Sequence, residues 1–148
     1  MSSFEEKREA FRQKKAQEEQ QERETFRQWV AQHYPAAQEE SNGCFVEILQ
    51  PGSGPAVTSG QSLSVHYTGT FPDGRVFDSS RRRNQPFSFR IASGRVIRCW
   101  DENLLGKAVG SRVLLIAPYA LGYGEAGSPP VIPAKATLLF DVELLSAQ

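Results

Sequence analysis

The apolar positions of the 148-residue chain follow two different periods, and the change from one to the other divides it into two parts. From Phe4 onward the apolar residues are sparse and helically spaced among Glu, Gln, Lys, Arg and Ala, which are strong helix formers. Pro35 ends this pattern, because proline cannot continue a helix. We therefore predict a charged helical extension and linker over residues 1–40 and a separate domain over 41–148, with the linker sequence, residues 36–43, running across this boundary.

The apolar content of the predicted helix is concentrated at its carboxyl end. Phe26, Trp29 and Val30 share one face there, whereas the stretch from Arg12 to Thr25 offers only an alanine for burial. This stripe predicts that the end of the helix packs against something. Docking within the chain is one interpretation, and dimerisation through the helix is the other. A coiled-coil seam would need apolar residues where this stretch has Gln and Glu.

Beyond residue 41 the apolar positions alternate with a period of two, which is typical of half-buried strands. The alternation predicts strands over residues 61–70, 86–91 and 136–145, and a short apolar run predicts another over 112–117. Short turns rich in Gly and Pro separate them, so the sheet should be mostly antiparallel. One short helix, near 96–105, interrupts the strands. An α+β domain with this helix packed on the sheet follows from the pattern.

Charge and motifs exclude several classes of protein. Lys+Arg and Asp+Glu both number 17, which argues against a basic nucleic-acid coat or an acidic buffer. Seven arginines between residues 75 and 98 come without a nucleic-acid motif, and we interpret them as solvated side chains. No apolar run is long enough to span a membrane, and the first residues lack an apolar leader, which favours a cytoplasmic location unless a leader has been removed.

The glycine pattern of 122–127 matches a dinucleotide fingerprint, but SerProPro follows it where a helix would have to begin. His33 and His66 stand alone, and neither Cys44 nor Cys99 has a neighbour at zinc-ligand spacing. We therefore expect no metal, no cofactor and no hydrolase triad, and we expect both cysteines to be small buried side chains.

Seven aromatic side chains fall on the predicted strands, on the short helix or in the turns beside them. They are Tyr67, Phe77, Phe87, Phe89, Trp100, Tyr123 and Phe140. Each could simply fill the core, yet one sheet and one short helix need fewer large rings than this. The excess predicts a concave apolar pocket that, with Asp78 and a tyrosine hydroxyl, would form a binding site.

From Gly43 to about Leu145 the sequence resembles the FKBP-type peptidyl-prolyl cis–trans isomerases. Six segments carry the resemblance in the family's order: VHYTG (65–69), DGRVFDSS (73–80), RNQPFSF (83–89), VIRCWDE (96–102), GYG (122–124) and IPAKATLLFDVEL (132–144). The resemblance implies a twisted antiparallel sheet of about five strands wrapped around one short helix. It also implies rotation of X–Pro bonds without cofactor or metal, and inhibition by macrolides of the tacrolimus and rapamycin types.

The family's pocket, transferred residue by residue, gives the expected site. The catalytic residues would be Tyr67, Asp78, Tyr123 and Phe140, and the substrate-binding residues would be Phe77, Arg83, Phe87, Val96, Ile97, Trp100 and Ile132. Trp100 would form the floor, and the backbone N–H of Ile97 would donate to a carbonyl oxygen of the ligand. Cys99 stands where members of the family often have glycine, so its side chain could crowd the start of the helix.

The partners implied by the resemblance are proline-containing peptides, unfolded proteins and macrolide inhibitors, with no nucleic acid and no membrane. An alternative is a binding module or folding chaperone that grips proline segments. In that case the N-terminal helix would do the main work, by forming a homodimer or by tethering the domain to a partner.

Overall fold

The computed structural model describes residues 3–148, which form two compact units that divide between Pro35 and Ala36. The first unit contains a 30-residue helix, α1 (Phe4–His33), as the sequence predicts. The helix begins at a capping box, in which Glu6 N donates to Ser3 Oγ at 3.1 Å and Ser3 N donates to Glu6 Oε2 at 3.3 Å. These bonds satisfy amides that have no partner within the helix.

The second unit is built on one antiparallel sheet. Its strands are β1 (Gln38–Glu39), β2 (Phe45–Gln50), β3 (Ser62–Thr70), β4 (Val76–Ser79), β5 (Phe87–Arg90), β6 (Arg112–Ala117) and β7 (Leu138–Ala147). They lie in the order β1-β2-β6-β7-β3-β4, with β5 also paired to β3. A helix of two turns, α2 (Arg98–Asn103), follows β5, and a 3-10 turn (Tyr119–Leu121) follows β6. The antiparallel α+β architecture is thus confirmed.

The sheet has seven strands where about five were expected, and the difference lies at its two edges. β4 pairs with the end of β3 at Thr68–Thr70, whereas β5 pairs with its beginning at Ser62–Val65. These two strands are therefore one edge, interrupted by a loop over residues 80–86. At the other edge β1 pairs with β2, so residues 36–43, interpreted from sequence as a linker, contribute to the sheet.

One face of the sheet and helix α2 enclose the core. Along β3, Leu63, Val65 and Tyr67 are buried while the residues between them are half-buried, which confirms the predicted alternation. On β7, Phe140 is buried on the same side, and Leu139, on the other side, is covered as well. The concave face thus collects the rings of the central strands beneath α2.

Within residues 3–148, no helix is apolar enough over a sufficient length to cross a bilayer. In the same part of the chain, no three His, Cys, Asp or Glu side chains come together as metal ligands would.

Candidate active site

The indole of Trp100, in the first turn of α2, is the centre of an aromatic cluster. Its ring lies edge-on to Tyr67 at 5.1 Å and to Phe140 at 5.4 Å between centroids. Phe87 lies 6.2 Å away, also edge-on, and Phe89 lies at 5.6 Å. Edge-to-face pairs at these separations stabilise one another and fix ring orientation. Trp100 is 4% exposed, and its Nε1 has no hydrogen-bond partner among the described residues.

Phe77 of β4 extends the aromatic wall, and a glycine makes room for it. The Phe77 ring lies edge-on to Phe140 at 5.7 Å and tilted against Phe71 at 5.0 Å. Gly69 of β3 lies directly beneath, so close that a Cβ there would be 2.5 Å from Cζ of Phe77. Any side chain at Gly69 would displace the ring. The glycine therefore sets the depth at which this wall sits.

A polar triangle of Tyr67, Asp78 and Arg83 borders the rings. The Tyr67 hydroxyl donates a short hydrogen bond to Asp78 Oδ2, and Arg83 Nη1 donates another to Asp78 Oδ1. Arg83 Nη2 closes the triangle by donating to the Tyr67 hydroxyl oxygen at 3.2 Å. The Asp78 carboxylate is thus bound by both the Arg83 guanidinium and the Tyr67 hydroxyl. The carboxylate is therefore held in place and is not free to act as a general base.

The triangle shifts the pKa values of its members in opposite directions. Burial alone would raise the pKa of Asp78, but hydrogen bonds from Tyr67 and Arg83 outweigh it and leave the pKa lowered. Burial raises the pKa of the Tyr67 hydroxyl, and its bond to the Asp78 carboxylate raises it further. At neutral pH the site therefore presents a fixed carboxylate, a fixed guanidinium and a neutral phenol.

Ser80 fixes the backbone on which Tyr67 stands. Its hydroxyl oxygen accepts the Tyr67 N–H at 2.7 Å, and its own N–H donates to the Tyr67 carbonyl at 3.0 Å. The interrupted edge would otherwise leave these groups unpaired, because β4 ends at Ser79. Ser80 thus replaces a strand partner at the point where the rim loop leaves the sheet.

An unpaired backbone donor lies at the start of α2. The N–H of Ile97 donates to no other group of the described chain, while its carbonyl accepts from Trp100 N at 3.0 Å and from Asp101 N at 3.1 Å. The preceding loop is braced by the Asp101 carboxylate, which accepts the N–H groups of Ala92 and Gly94, both at 2.9 Å. The bracing fixes the path of the loop toward Val96 and Ile97, so the free N–H has a defined direction.

The loop between β6 and β7 supplies Tyr123 and Ile132. Ile132 is 4% exposed within the core cluster, and two backbone bonds with Ser128, at 2.9 and 3.0 Å, close the loop on itself. Tyr123 remains 42% exposed. Burial of the rest of this side chain raises the pKa of its hydroxyl, and the negative charge of Asp78 raises that pKa further.

Most of the residues transferred from the family therefore lie in one place. The rings of Tyr67, Phe77, Phe87, Trp100 and Phe140 are linked by ring contacts. Asp78 and Arg83 join them through hydrogen bonds to Tyr67, while Val96, Ile97 and Ile132 pack in or against the same core. Tyr123 makes no ring contact or hydrogen bond with these residues, and it is influenced by them only through the charge of Asp78, which raises the pKa of its hydroxyl.

Sequence reasoning left out several residues that support the site. Phe89, noted only as one of the aromatics, stacks on Phe87 at 5.5 Å, and its place next to the site follows from the period-two pattern of β5. Gly69, Ser80 and Asp101 support the site through contacts with residues elsewhere in the chain. No pattern in the residues around each of them predicts these contacts. Cys99 and Cys44 are both buried and form no disulfide, as expected, and the neighbouring Cys44 thiol together with burial raises the pKa of the Cys99 thiol.

Comparisons with known proteins agree with this geometry. Residues 54–145 match the family described as FKBP-type peptidyl-prolyl cis-trans isomerase. The chain is 50% identical over 107 residues to the peptidyl-prolyl cis-trans isomerase Fkbp12 of Drosophila melanogaster, covering 72% of this chain and 99% of that protein. It is 54% identical over 87 residues to FKBP15-2 of Arabidopsis thaliana, covering 59% of this chain and 53% of that protein, so it spans about half the length of that relative.

Two solved structures share the fold. AtFKBP13 superposes with a TM-score of 0.72 and 33% identity over 76% of this chain and 98% of its own. FkpA from Escherichia coli superposes with a TM-score of 0.76 and 34% identity over 95% of this chain and 64% of its own. Together with the aromatic cluster, these matches confirm the family expected from the sequence. The chain belongs to the FKBP-type peptidyl-prolyl cis–trans isomerase family.

Proposed function

We propose that the second unit accelerates rotation about X–Pro bonds in peptides and in folding proteins, and that it does so in the pocket above Trp100. The observation that carries the proposal is a buried aromatic floor and wall next to an unpaired backbone N–H, that of Ile97. Such a site offers a proline ring an apolar surface and offers the preceding carbonyl a donor. It contains no free acid or base, since Asp78 is engaged by Tyr67 and Arg83.

The reaction needs no acid, base or metal because no covalent bond is broken, and the barrier to rotation comes from conjugation within the amide. Conjugation between nitrogen and carbonyl sets the barrier at ~18–20 kcal/mol, and the free bond turns over in tens to hundreds of seconds. When the bond twists, conjugation is lost and the amide becomes less dipolar. An apolar pocket therefore destabilises the planar ground state relative to the twisted transition state. Each ~1.4 kcal/mol of such differential binding is tenfold in rate, so about 7 kcal/mol would give roughly five decades.

Within this proposal each group has a defined role. Tyr67, Phe77, Phe87, Trp100 and Phe140 hold the proline ring while the preceding carbonyl turns. Val96 and Ile132 close the pocket with aliphatic surface. The Ile97 N–H holds the carbonyl of the residue beyond the rotating bond. The side chains of Asp78, Arg83 and Tyr123 place polar groups at the rim, where the rotating carbonyl meets them.

The direct test is the relaxation of a short X–Pro peptide from cis to trans, with and without the protein. We expect acceleration by the wild type, and a large loss both in Asp78→Ala, which removes the carboxylate of the rim, and in Phe140→Leu, which removes one wall. Circular dichroism of each variant controls for folding. A folded wild type without any effect on relaxation would reduce the pocket to a binding site and contradict the proposal.

Macrolide binding is the second part of the proposal. The same apolar rings and the same Ile97 N–H would accept a tacrolimus- or rapamycin-type ring, since these ligands also present a carbonyl next to a saturated ring. The expected result is competitive inhibition of peptide relaxation with one ligand bound per chain. Failure to bind, with the fold intact, would indicate that the loop bearing Tyr123 and Ile132 closes differently from that of the family.

The N-terminal helix supports a second candidate function, that of a chaperone or tether. Phe4 and Phe11 lie seven residues apart on one face of α1 and are 74% and 68% exposed, which is costly for large rings unless something covers them. We propose that a second copy of the chain, or a client segment, covers this face. Solution mass at two concentrations tests dimerisation.

Removal of residues 1–35 separates the two functions. A pure isomerase keeps its activity on a short peptide after this truncation, whereas a chaperone loses protein-refolding activity selectively. The cytoplasmic location expected from the sequence is likewise a proposal, which fractionation of cells that express the chain would test.

A further inference from the structure

The pocket is bordered by segments with more positive than negative charge. Between residues 73 and 103 there are seven arginines and only four acidic residues. All four acids are engaged: Asp73 pairs with Arg75 at 2.7 Å, Asp78 with Arg83, Glu102 with Arg98 at 2.7 Å, and Asp101 accepts two backbone N–H groups. Arg81 reaches across to Glu143 of β7 at 3.1 Å. Three arginines are left without an acidic partner.

These three are Arg82, Arg90 and Arg95, and they differ in position. All are exposed, and their guanidinium groups make no ion pair or hydrogen bond with other described residues. Arg90 ends β5 on the face opposite to Phe89, and its Nη2 lies beside Gly60, 3.7 Å from where a Cβ on that glycine would be. Arg90 therefore belongs to the outer surface and is not part of the pocket rim.

Arg82 and Arg95, in contrast, lie next to pocket residues on two different segments of the rim. Arg82 immediately precedes Arg83, whose guanidinium binds Asp78 and Tyr67. Arg95 immediately precedes Val96 and the unpaired N–H of Ile97. Both exposed arginines are therefore carried by segments that also carry residues of the expected site.

The remaining segment of the rim does not cancel this charge. The loop over residues 118–135 carries one acid, Glu125, and one base, Lys135. Its net charge is therefore zero. Lys135 lies over the ring of Tyr119, with Nζ 5.6 Å from the centroid. The two guanidinium groups without an acidic partner, those of Arg82 and Arg95, outnumber the one carboxylate without a cationic partner, that of Asp101, so these segments carry one excess positive charge.

We propose that Arg82 and Arg95 select X–Pro segments that carry an anionic side chain directly before or after the proline. This inference rests on the proposed isomerase function and names its substrate class. A guanidinium binds carboxylate and phosphoryl groups with two parallel hydrogen bonds, so both kinds of side chain are suitable. Exposed pairs contribute little individually, and two of them together correspond to about three- to tenfold in kcat/KM at low salt.

The experiment compares peptides that differ only in charge. One pair has Glu or Gln before proline, a second has Glu or Gln after it, and a third has phosphoserine or serine before it. We expect wild-type kcat/KM to be about three- to tenfold higher for the anionic member of at least one pair at low salt, and the ratio to fall toward one as salt is raised. The phosphoserine pair shows whether phosphoryl groups or only carboxylates are selected.

Substitutions assign the preference to the two arginines. In the double variant Arg82→Gln/Arg95→Gln, kcat/KM for the anionic peptide divided by kcat/KM for its neutral partner should fall to about one. The value of kcat/KM for the neutral peptides should stay at that of the wild type. Arg90→Gln is the matched control, because it removes an exposed, unpaired arginine away from the pocket, and it should leave the ratio unchanged.

The outcomes separate this inference from the proposed function. A wild-type ratio within twofold of one for all three pairs, or a ratio retained in the double variant, would overturn the assignment even if neutral peptides are turned over well. If no peptide is isomerised, the proposed function fails. Calorimetric titration of the same pairs then tests the inference through binding alone, where equal affinities for charged and neutral peptides would overturn it.

Discussion

Adding a methyl group at Gly69 should displace one wall of the pocket without touching its polar residues. The Cβ of Gly69→Ala would lie 2.5 Å from Cζ, 2.9 Å from Cε1 and 3.0 Å from Cε2 of Phe77. Carbon atoms in contact prefer about 3.5–4.0 Å. The ring must therefore move away by about 1 Å, toward Phe71 or toward solvent, and its edge-on contact with Phe140 is lost or distorted.

The size of the effect follows from this geometry. Overpacking of this kind costs about 1–3 kcal/mol of folding free energy, which for a domain of this size lowers Tm by about 5–15 °C. The half-buried position of Phe77 allows some relaxation, which favours the lower part of that range. A displacement of about 1 Å in a wall that contacts substrate can reduce the rate about tenfold to a hundredfold.

Thermal unfolding and peptide relaxation measure the two effects separately. For Gly69→Ala we expect a lower Tm and a lower kcat/KM at a temperature where the variant is fully folded. Adding Phe77→Leu to it should restore part of the Tm, because a shorter side chain leaves room for the methyl group, but it should not restore activity, because the ring is gone. Non-additive Tm values would show that the two positions are coupled.

The matched control is Ser64→Ala, which changes the same strand on its outward, half-buried face. This variant should keep both Tm and kcat/KM. If Gly69→Ala also keeps both, the close approach of Gly69 to Phe77 has no role in shaping the pocket, and the reasoning fails.

Three further predictions concern single groups. Ile97→Pro removes the unpaired N–H at a position whose φ of −58° already suits proline, so we expect a folded protein with kcat/KM lowered at least about tenfold, whereas Ile97→Val keeps the rate. Because the pKa of Asp78 is lowered by folding, its contribution to stability is complete above about pH 3.9 and disappears as pH falls through the lowered pKa; urea unfolding of wild type and Asp78→Asn should therefore converge in acid. Cys44 and Cys99 are buried with the pKa of Cys99 raised, so a thiol reagent should modify neither until denaturant unfolds the domain.

Regular alternation made much of the fold predictable from the sequence. β3, β6 and β7 alternate or run apolar for six or more residues, and the structure places them within two residues of the expected positions. Three strands escaped prediction. β4 has four residues, of which only Ser79 is buried, so it shows no alternation. β1 has only two residues, both exposed. β2 buries the adjacent residues Phe45 and Val46 but exposes the apolar Ile48 and Leu49, so its apolar residues do not alternate with polar ones as those of a half-buried strand would.

The members of the aromatic cluster were predictable from the sequence, but the contacts that hold them in place were not. The rings could be transferred to this chain because they stand in segments that match the family letter by letter. Three supports of the site depend on backbone paths that bring residues distant in sequence together: Asp101 braces the 91–97 loop, Gly69 leaves room for the Phe77 ring, and Ser80 binds the backbone of Tyr67. A hydrogen bond to a backbone N–H leaves no trace in side-chain type, so sequence patterns cannot reveal it.

The place of β7 in the sheet has a consequence for the order in which the enzyme becomes active during its synthesis. β7 is the last strand of this sheet in chain order, yet it lies in the middle of the sheet, between β6 and β3. Until it emerges from the ribosome, the β2–β6 pair and the β3–β4–β5 edge have no common neighbour, and Phe140 is missing from the pocket. Such non-local closure is slow compared with hairpin formation. A nascent chain should therefore lack the complete aromatic cluster until β7 has been released, and the macrolide binding that we propose should appear only after that point.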